Sequence, residues 1–69
     1  MSKRIEITTE YITLGQLLKF VGIIRSGALA KEFLLSNIVL VNGEEETRRG
    51  RKLYPNDIVE VENRTFIIR

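Results

Sequence analysis

Residues 44–52 read Glu-Glu-Glu-Thr-Arg-Arg-Gly-Arg-Lys, so three carboxylates are followed almost at once by four cations. Guanidinium and ammonium groups stay protonated near neutrality, so Arg48, Arg49, Arg51 and Lys52 are unsuited to general acid or base work. They are suited to holding oxyanions, and a guanidinium meets a phosphate with two parallel hydrogen bonds. The chain contains no Cys and no His. That removes the thiolate nucleophile, the disulfide, the thiolate metal site and the commonest general base. Asp57 beside a glutamate is the carboxylate pair that remains, and its position after Pro55-Asn56 assigns it to stabilising a turn. The residues therefore predict binding without catalysis, with no cofactor, no metal and no small-molecule substrate.

The net charge of +2 conceals an uneven distribution. Without Arg48, Arg49, Arg51 and Lys52 the 11 basic residues fall to 7 against 9 acidic ones, a charge of −2. A local cationic cluster on a slightly acidic body predicts one anionic partner at one place. Arg exceeds Lys by 7 to 4, which suits phosphate contact and stacking on bases. The plain alternative is a solvated charged turn. Absence of Cys fits a reducing compartment, and no apolar run is long enough for a membrane span, so the expected location is cytoplasmic.

A chain of 69 residues has room for one domain with one modest core. Every element must share that core. Residues 3–8 alternate Ile5 and Ile7 with polar neighbours, the period of a half-buried strand. Thr13 precedes Leu14, Leu17, Leu18 and Val21, a helical stripe, and Gln16 stands three residues on as a capping box requires. The first helix should end near Gly22. Ser26 marks a second start, for a helix over about 27–35 whose apolar face is Ala30, Phe33 and Leu34, with Asn37 as a left-handed residue past its end. Beyond it, 38–41 are aliphatic and Asn42-Gly43 is a strong hairpin signal. A return segment over 45–48, a turn at 54–57, a strand over 58–61 with Val59 and Val61 inward, and a strand over 65–68 complete the order β-α-α-β-β-β-β. The expected fold is α+β, two packed helices against a small, mostly antiparallel sheet.

In that layout the basic residues directly follow the hairpin, and the second helix leading into it begins with Ser26, Gly27 and Ala28. Their backbone amides, beside Arg25 and Lys31, are expected to form an anion site. A hairpin folded toward this helix start would align Arg25, Lys31, Arg48, Arg49, Arg51 and Lys52 along one cationic groove. Glu44, Glu45 and Glu46 would flank the groove or pair with nearby Arg, or else form a solvated hairpin tip. No aromatic platform accompanies the cluster beyond Tyr54, itself expected at the edge of the core. Recognition would then rest on the shape and phosphates of structured RNA.

The run over 12–61, about fifty residues, resembles the S-four domain, the RNA-binding module named for ribosomal small-subunit protein four. Its most specific pieces are Ala30-Lys31, Val39-Leu40-Val41-Asn42-Gly43, and Leu53, Pro55, Asp57, Val59 and Val61 at alternate positions. In length, and in Arg48-Arg49-Gly50-Arg51-Lys52-Leu53, the chain is similar to the standalone bacterial YaaA-type proteins of this family. The resemblance implies an αL-type motif, two helices and a hairpin that grip structured RNA, often ribosomal or transfer RNA, with a place in ribosome assembly or translation. Carried over by position, the RNA-facing surface falls on Lys19, Arg25, Ser26, Gly27, Lys31, Asn42, Gly43, Arg48, Arg49, Arg51 and Lys52. Asn37 and Asn56 stand where the family usually has Gly, and Asn tolerates the left-handed region. Gly27 stands where most members carry Arg, so that contact would fall to Arg25.

In other families the module is an accessory of enzymes. Here binding without chemistry is expected, and the expected partner is structured RNA, ribosomal RNA or the ribosome, with no membrane involved. A protein-binding adaptor with a β-grasp-like sheet is the alternative. Carriers of that type need a flexible Gly-Gly end, whereas this sequence finishes in Phe66-Ile67-Ile68-Arg69. Duplex DNA is a further candidate ligand, separable from RNA by competition.

Overall fold

A computed structural model describes residues 2–69. Five strands form the main sheet in the order β1-β7-β6-β3-β4: β1 is Ser2–Ile5, β7 Arg64–Ile68, β6 Ile58–Val61, β3 Val39–Val41 and β4 Glu44–Glu45. β1 runs parallel to β7 and the other neighbours are antiparallel. A second ribbon pairs β2, Ile12–Thr13, with β5, Lys52–Leu53. Two α-helices, α1 over Leu14–Phe20 and α2 over Ala30–Ser36, complete an α+β fold.

Period-two burial fixes the sheet. Val39 pairs with Val61, Val41 with Val59 and Val59 with Phe66, and all five side chains are buried while Glu60 between them is exposed. They meet Leu14, Leu17 and Leu18 of α1 and Ala30 and Leu34 of α2 in one core. Full burial of a side chain of this size contributes roughly 1.5–3 kcal/mol. A shared core of this kind is what keeps so short a chain folded.

α1 begins as the capping box requires. The Thr13 hydroxyl accepts from the Gln16 amide at 3.2 Å, and the Gln16 side chain accepts from the Thr13 amide at 2.8 Å. Val21 caps the helix and Gly22 follows at φ +81°. The second helix differs from its expected form. Gly27–Leu29 is a single 3-10 turn, α2 proper starts at Ala30, and the Ser26 side chain makes no capping bond. The turn is closed by the main chain instead, with the Leu29 amide donating to the Ser26 carbonyl. Asn37 is extended at φ −134°, not left-handed, and its side-chain amide donates to the Phe33 carbonyl. Polar capping of that carbonyl replaces the glycine-type exit.

Both two-residue hairpin loops have positive φ at their central residues, Asn42-Gly43 at 53° and 85° and Glu62-Asn63 at 52° and 60°. That geometry matches the right-handed twist of the strands it joins. Asn56 takes φ 81°, as expected of an asparagine in a glycine position. The return strand after Asn42-Gly43 is shorter than expected. Pairing stops at Glu45, and one further bond, from the Glu46 amide to the Val39 carbonyl, ends the ladder.

Candidate nucleic-acid interface

After Glu46 the chain leaves the sheet and crosses to the start of α1. The first amides of a helix have no partner inside it. Here the Leu14 amide donates to the Arg51 carbonyl at 2.8 Å and the Gly15 amide to the Arg49 carbonyl at 2.9 Å. The basic segment therefore satisfies the helix N-terminus through its own backbone, which leaves its side chains free to point elsewhere. Gly15 lies close against the segment. A Cβ there would lie 3.4 Å from both the Arg49 carbonyl oxygen and the Ala30 Cβ, at the near edge of ordinary van der Waals contact.

Glu46 organises the segment from the other end. Its neighbours Glu44 and Glu45 are exposed on the hairpin, while Glu46 stands opposite Val39 and is 8% exposed. Its carboxylate accepts from the Thr47 and Arg48 amides, from Arg48 Nε at 3.0 Å and Nη2 at 3.1 Å, and from Arg51 Nη1 at 3.3 Å. The Arg48 side-chain and backbone hydrogen bonds hold the Glu46 pKa down at about 2, against the opposing effect of burial. The Arg48 guanidinium is correspondingly held more firmly in its charged form by Glu46. A buried carboxylate needs such partners, and here they gather two arginines at one corner.

The Arg48 fork faces Glu46 with only part of its donors, and its side chain is 73% exposed. Arg49 and Lys52 make no ion pair among the described residues. Lys52 instead lies over the Tyr11 ring, its Nζ 4.9 Å from the centroid. Tyr11 in turn packs against Tyr54 with ring centroids 5.8 Å apart.

Two shallow depressions meet at Gly50. One, between α1 and the 3-10 turn, is lined by Thr13, Gly15, Gln16, Lys19, Gly27, Arg49 and Gly50. The other is lined by Arg48, Gly50, Arg51, Lys52, Tyr54 and Asp57. The fold thus brings together Lys19, Gly27, Arg48, Arg49, Arg51 and Lys52 of the residues expected from sequence. Arg25 lines a separate depression with Ile24, Leu29, Glu32 and Phe33. Lys31 is exposed on α2 and lines neither basic depression. Ser26 is exposed beside the 3-10 turn. The Asn42 side chain is engaged: its amide donates to Asp57 Oδ1 at 3.0 Å and its oxygen accepts from the Ile58 amide at 2.9 Å. Gly43 is exposed at the hairpin tip.

Sequence reasoning offered Glu46 only as one of three glutamates that would flank the groove or pair with nearby Arg, and it missed Gly15 and Tyr11. A run of three glutamates does not reveal which one turns inward. The hairpin register does, since Glu46 falls opposite a core valine. Tyr11 is 43 positions from Tyr54 and becomes its neighbour only through the pairing of β2 with β5.

The described residues contain no group of acidic side chains placed to hold a metal ion, and none of their helices is long and apolar enough to cross a membrane. A family model described as S4 domain matches residues 5–69. The chain is also 56% identical over 62 residues to the probable ribosome maturation protein RlbA of Bacillus subtilis (strain 168), an alignment spanning 90% of this chain and 87% of that relative.

Proposed function

The chain belongs to the S4 domain family, and on that premise we propose that it is a non-catalytic RNA-binding module that grips structured ribosomal RNA and acts in ribosome assembly or maturation. The observation that carries the reading is the anchored basic segment: Arg49 and Arg51 are fixed by their carbonyls to the start of α1 while Arg49 and Lys52 make no ion pair among the described residues. The main-chain bonds fix where these side chains leave the backbone, which sets the spacing of the cations offered to phosphates. Lys19 and Arg49 border one depression and Arg48, Arg51 and Lys52 the next, which suits successive phosphates along one RNA strand. Of the remaining positions, Arg25, Lys31, Ser26 and Gly43 serve at the margin of this surface, and Asn42 acts by shaping the hairpin. The relative's name as a ribosome maturation protein supports ribosomal RNA as the target.

The test is crosslinking in cells followed by sequencing of the attached RNA. Its control is the double variant Arg49→Gln/Lys52→Gln, because neutralising Arg48 and Arg51 as well would strand the Glu46 carboxylate and confound binding with stability. Enrichment of ribosomal RNA that falls in the variant is the expected outcome. In vitro the variant should lower the slope of log affinity against log salt by about 1.5, from the loss of two phosphate contacts. Its stability should change by less than about 1 kcal/mol. Absence of RNA enrichment with either protein would shift the assignment to a protein-binding adaptor, and equal enrichment with both would move the contact away from Arg49 and Lys52.

A further inference from the structure

Tyr11 and Tyr54 are not part of the hydrophobic core. The buried cluster closes without either ring, and Leu53, between Lys52 and Tyr54, is already fully buried. The ribbon explains why the rings meet. Ile12 pairs with Leu53 and Thr13 with Lys52, so the next antiparallel position sets Tyr11 opposite Tyr54 on the outward face. Lys52 shares that face two residues away and lies diagonally over Tyr11. The main chain at Tyr54 is fixed by the turn that follows. Its amide donates to Asp57 Oδ2 at 2.8 Å, Asp57 Oδ1 accepts from Asn42, and Pro55 follows directly. Even so, Tyr54 remains 42% exposed, beside Arg48 and Arg51 in one depression.

An aromatic ring packed on a second ring, half open to solvent and next to exposed cations, is the arrangement that stacks an unpaired base. We propose that Tyr54, backed by Tyr11 and Lys52, is a stacking site for one unpaired nucleobase of the bound RNA. The flanking phosphates are held by the outward N–H groups of Arg48 and Arg51. The inference rests on the RNA-binding reading above and deepens it: the ligand is a helical RNA element carrying an extruded or terminal nucleotide, not an uninterrupted duplex.

The experiment compares two RNA hairpins identical but for one single-nucleotide bulge, with 2-aminopurine at the bulge for fluorescence. The wild-type protein should bind the bulged hairpin about tenfold tighter than the plain one and quench the 2-aminopurine. Tyr54→Leu should bring the affinity ratio to about one and abolish the quenching, whereas Tyr54→Trp should keep both, which guards against a misfolded Leu variant. Binding of the two hairpins with equal affinity by the wild type, or an undiminished preference in Tyr54→Leu, overturns the stacking site while leaving the RNA-binding reading in place. Failure to bind either hairpin, with the Arg49→Gln/Lys52→Gln variant indistinguishable from wild type, overturns both.

Discussion

The main sheet and the basic segment over 46–53 are neighbours held by opposite means. In the sheet, order comes from apolar burial repeated at every second residue, as in Val39, Val41, Val59, Val61 and Phe66. In the basic segment a single carboxylate, Glu46, and two carbonyls that accept from the first amides of α1 do the same work. The difference teaches how a chain this short can fix the backbone of a cationic segment outside its core. Burial is non-directional and tolerates modest change, while a polar anchor is directional and fails when one partner goes.

The largest expected effect lies in the sheet. Phe66→Ala removes a ring that is 1% exposed and should cost about 3–5 kcal/mol, measured by urea denaturation. In a domain with so small a core that is enough to abolish the cooperative transition at 37 °C. A loss below about 1 kcal/mol would mean the core does not depend on this residue.

Next comes Glu46→Gln, which keeps the shape but weakens the bonds to Arg48 and Arg51. About 1–3 kcal/mol should be lost, with the fall in amide exchange protection concentrated at Leu14 and Gly15. A uniform fall across the sheet would erase the distinction between the two regions. The same anchor gives a pH signature. The Glu46 pKa is lowered in the folded state from 4.5 to about 2, so its stabilisation is complete above about 4.5 and is lost as pH falls through about 2. Protection of the Leu14 and Gly15 amides, corrected for intrinsic rates, should decline across that window in the wild type and stay level in Glu46→Gln.

The smallest effect concerns the sheet's own connections. Glu62-Asn63 adopts the backbone for which Asn42-Gly43 is suited, without a glycine. Glu62→Asn with Asn63→Gly should raise stability by about 1 kcal/mol, visible as an increase of several degrees in Tm, and leave RNA affinity unchanged. No increase would show that the loop side chains contribute contacts that offset the backbone strain.

Much of the fold is legible in residues that act locally. The Thr13-Gln16 capping box, the helical stripe of Leu14, Leu17 and Leu18, and the Asn42-Gly43 turn depend on neighbours within a few positions, so spacing alone reveals them. Ser26 was misleading for a related reason. A serine before a helix is a frequent cap, but here a 3-10 turn closes on the Ser26 carbonyl and the hydroxyl is not needed. Asn37 likewise looked like a left-handed exit, and its side chain satisfies the helix end from an extended backbone instead.

By itself, then, the sequence determined the fold class, the cationic cluster at 48–52 and the exclusion of thiol and imidazole chemistry, because each depends on residue type or short-range periodicity. Only the tertiary structure decided that Glu46 turns inward, that Arg49 and Arg51 dock on α1 over Gly15, that Arg25 faces another depression, and that Tyr11 meets Tyr54. These depend on strand register and on contacts between segments far apart in the chain, and the same local pattern is compatible with several such pairings until the shared core selects one.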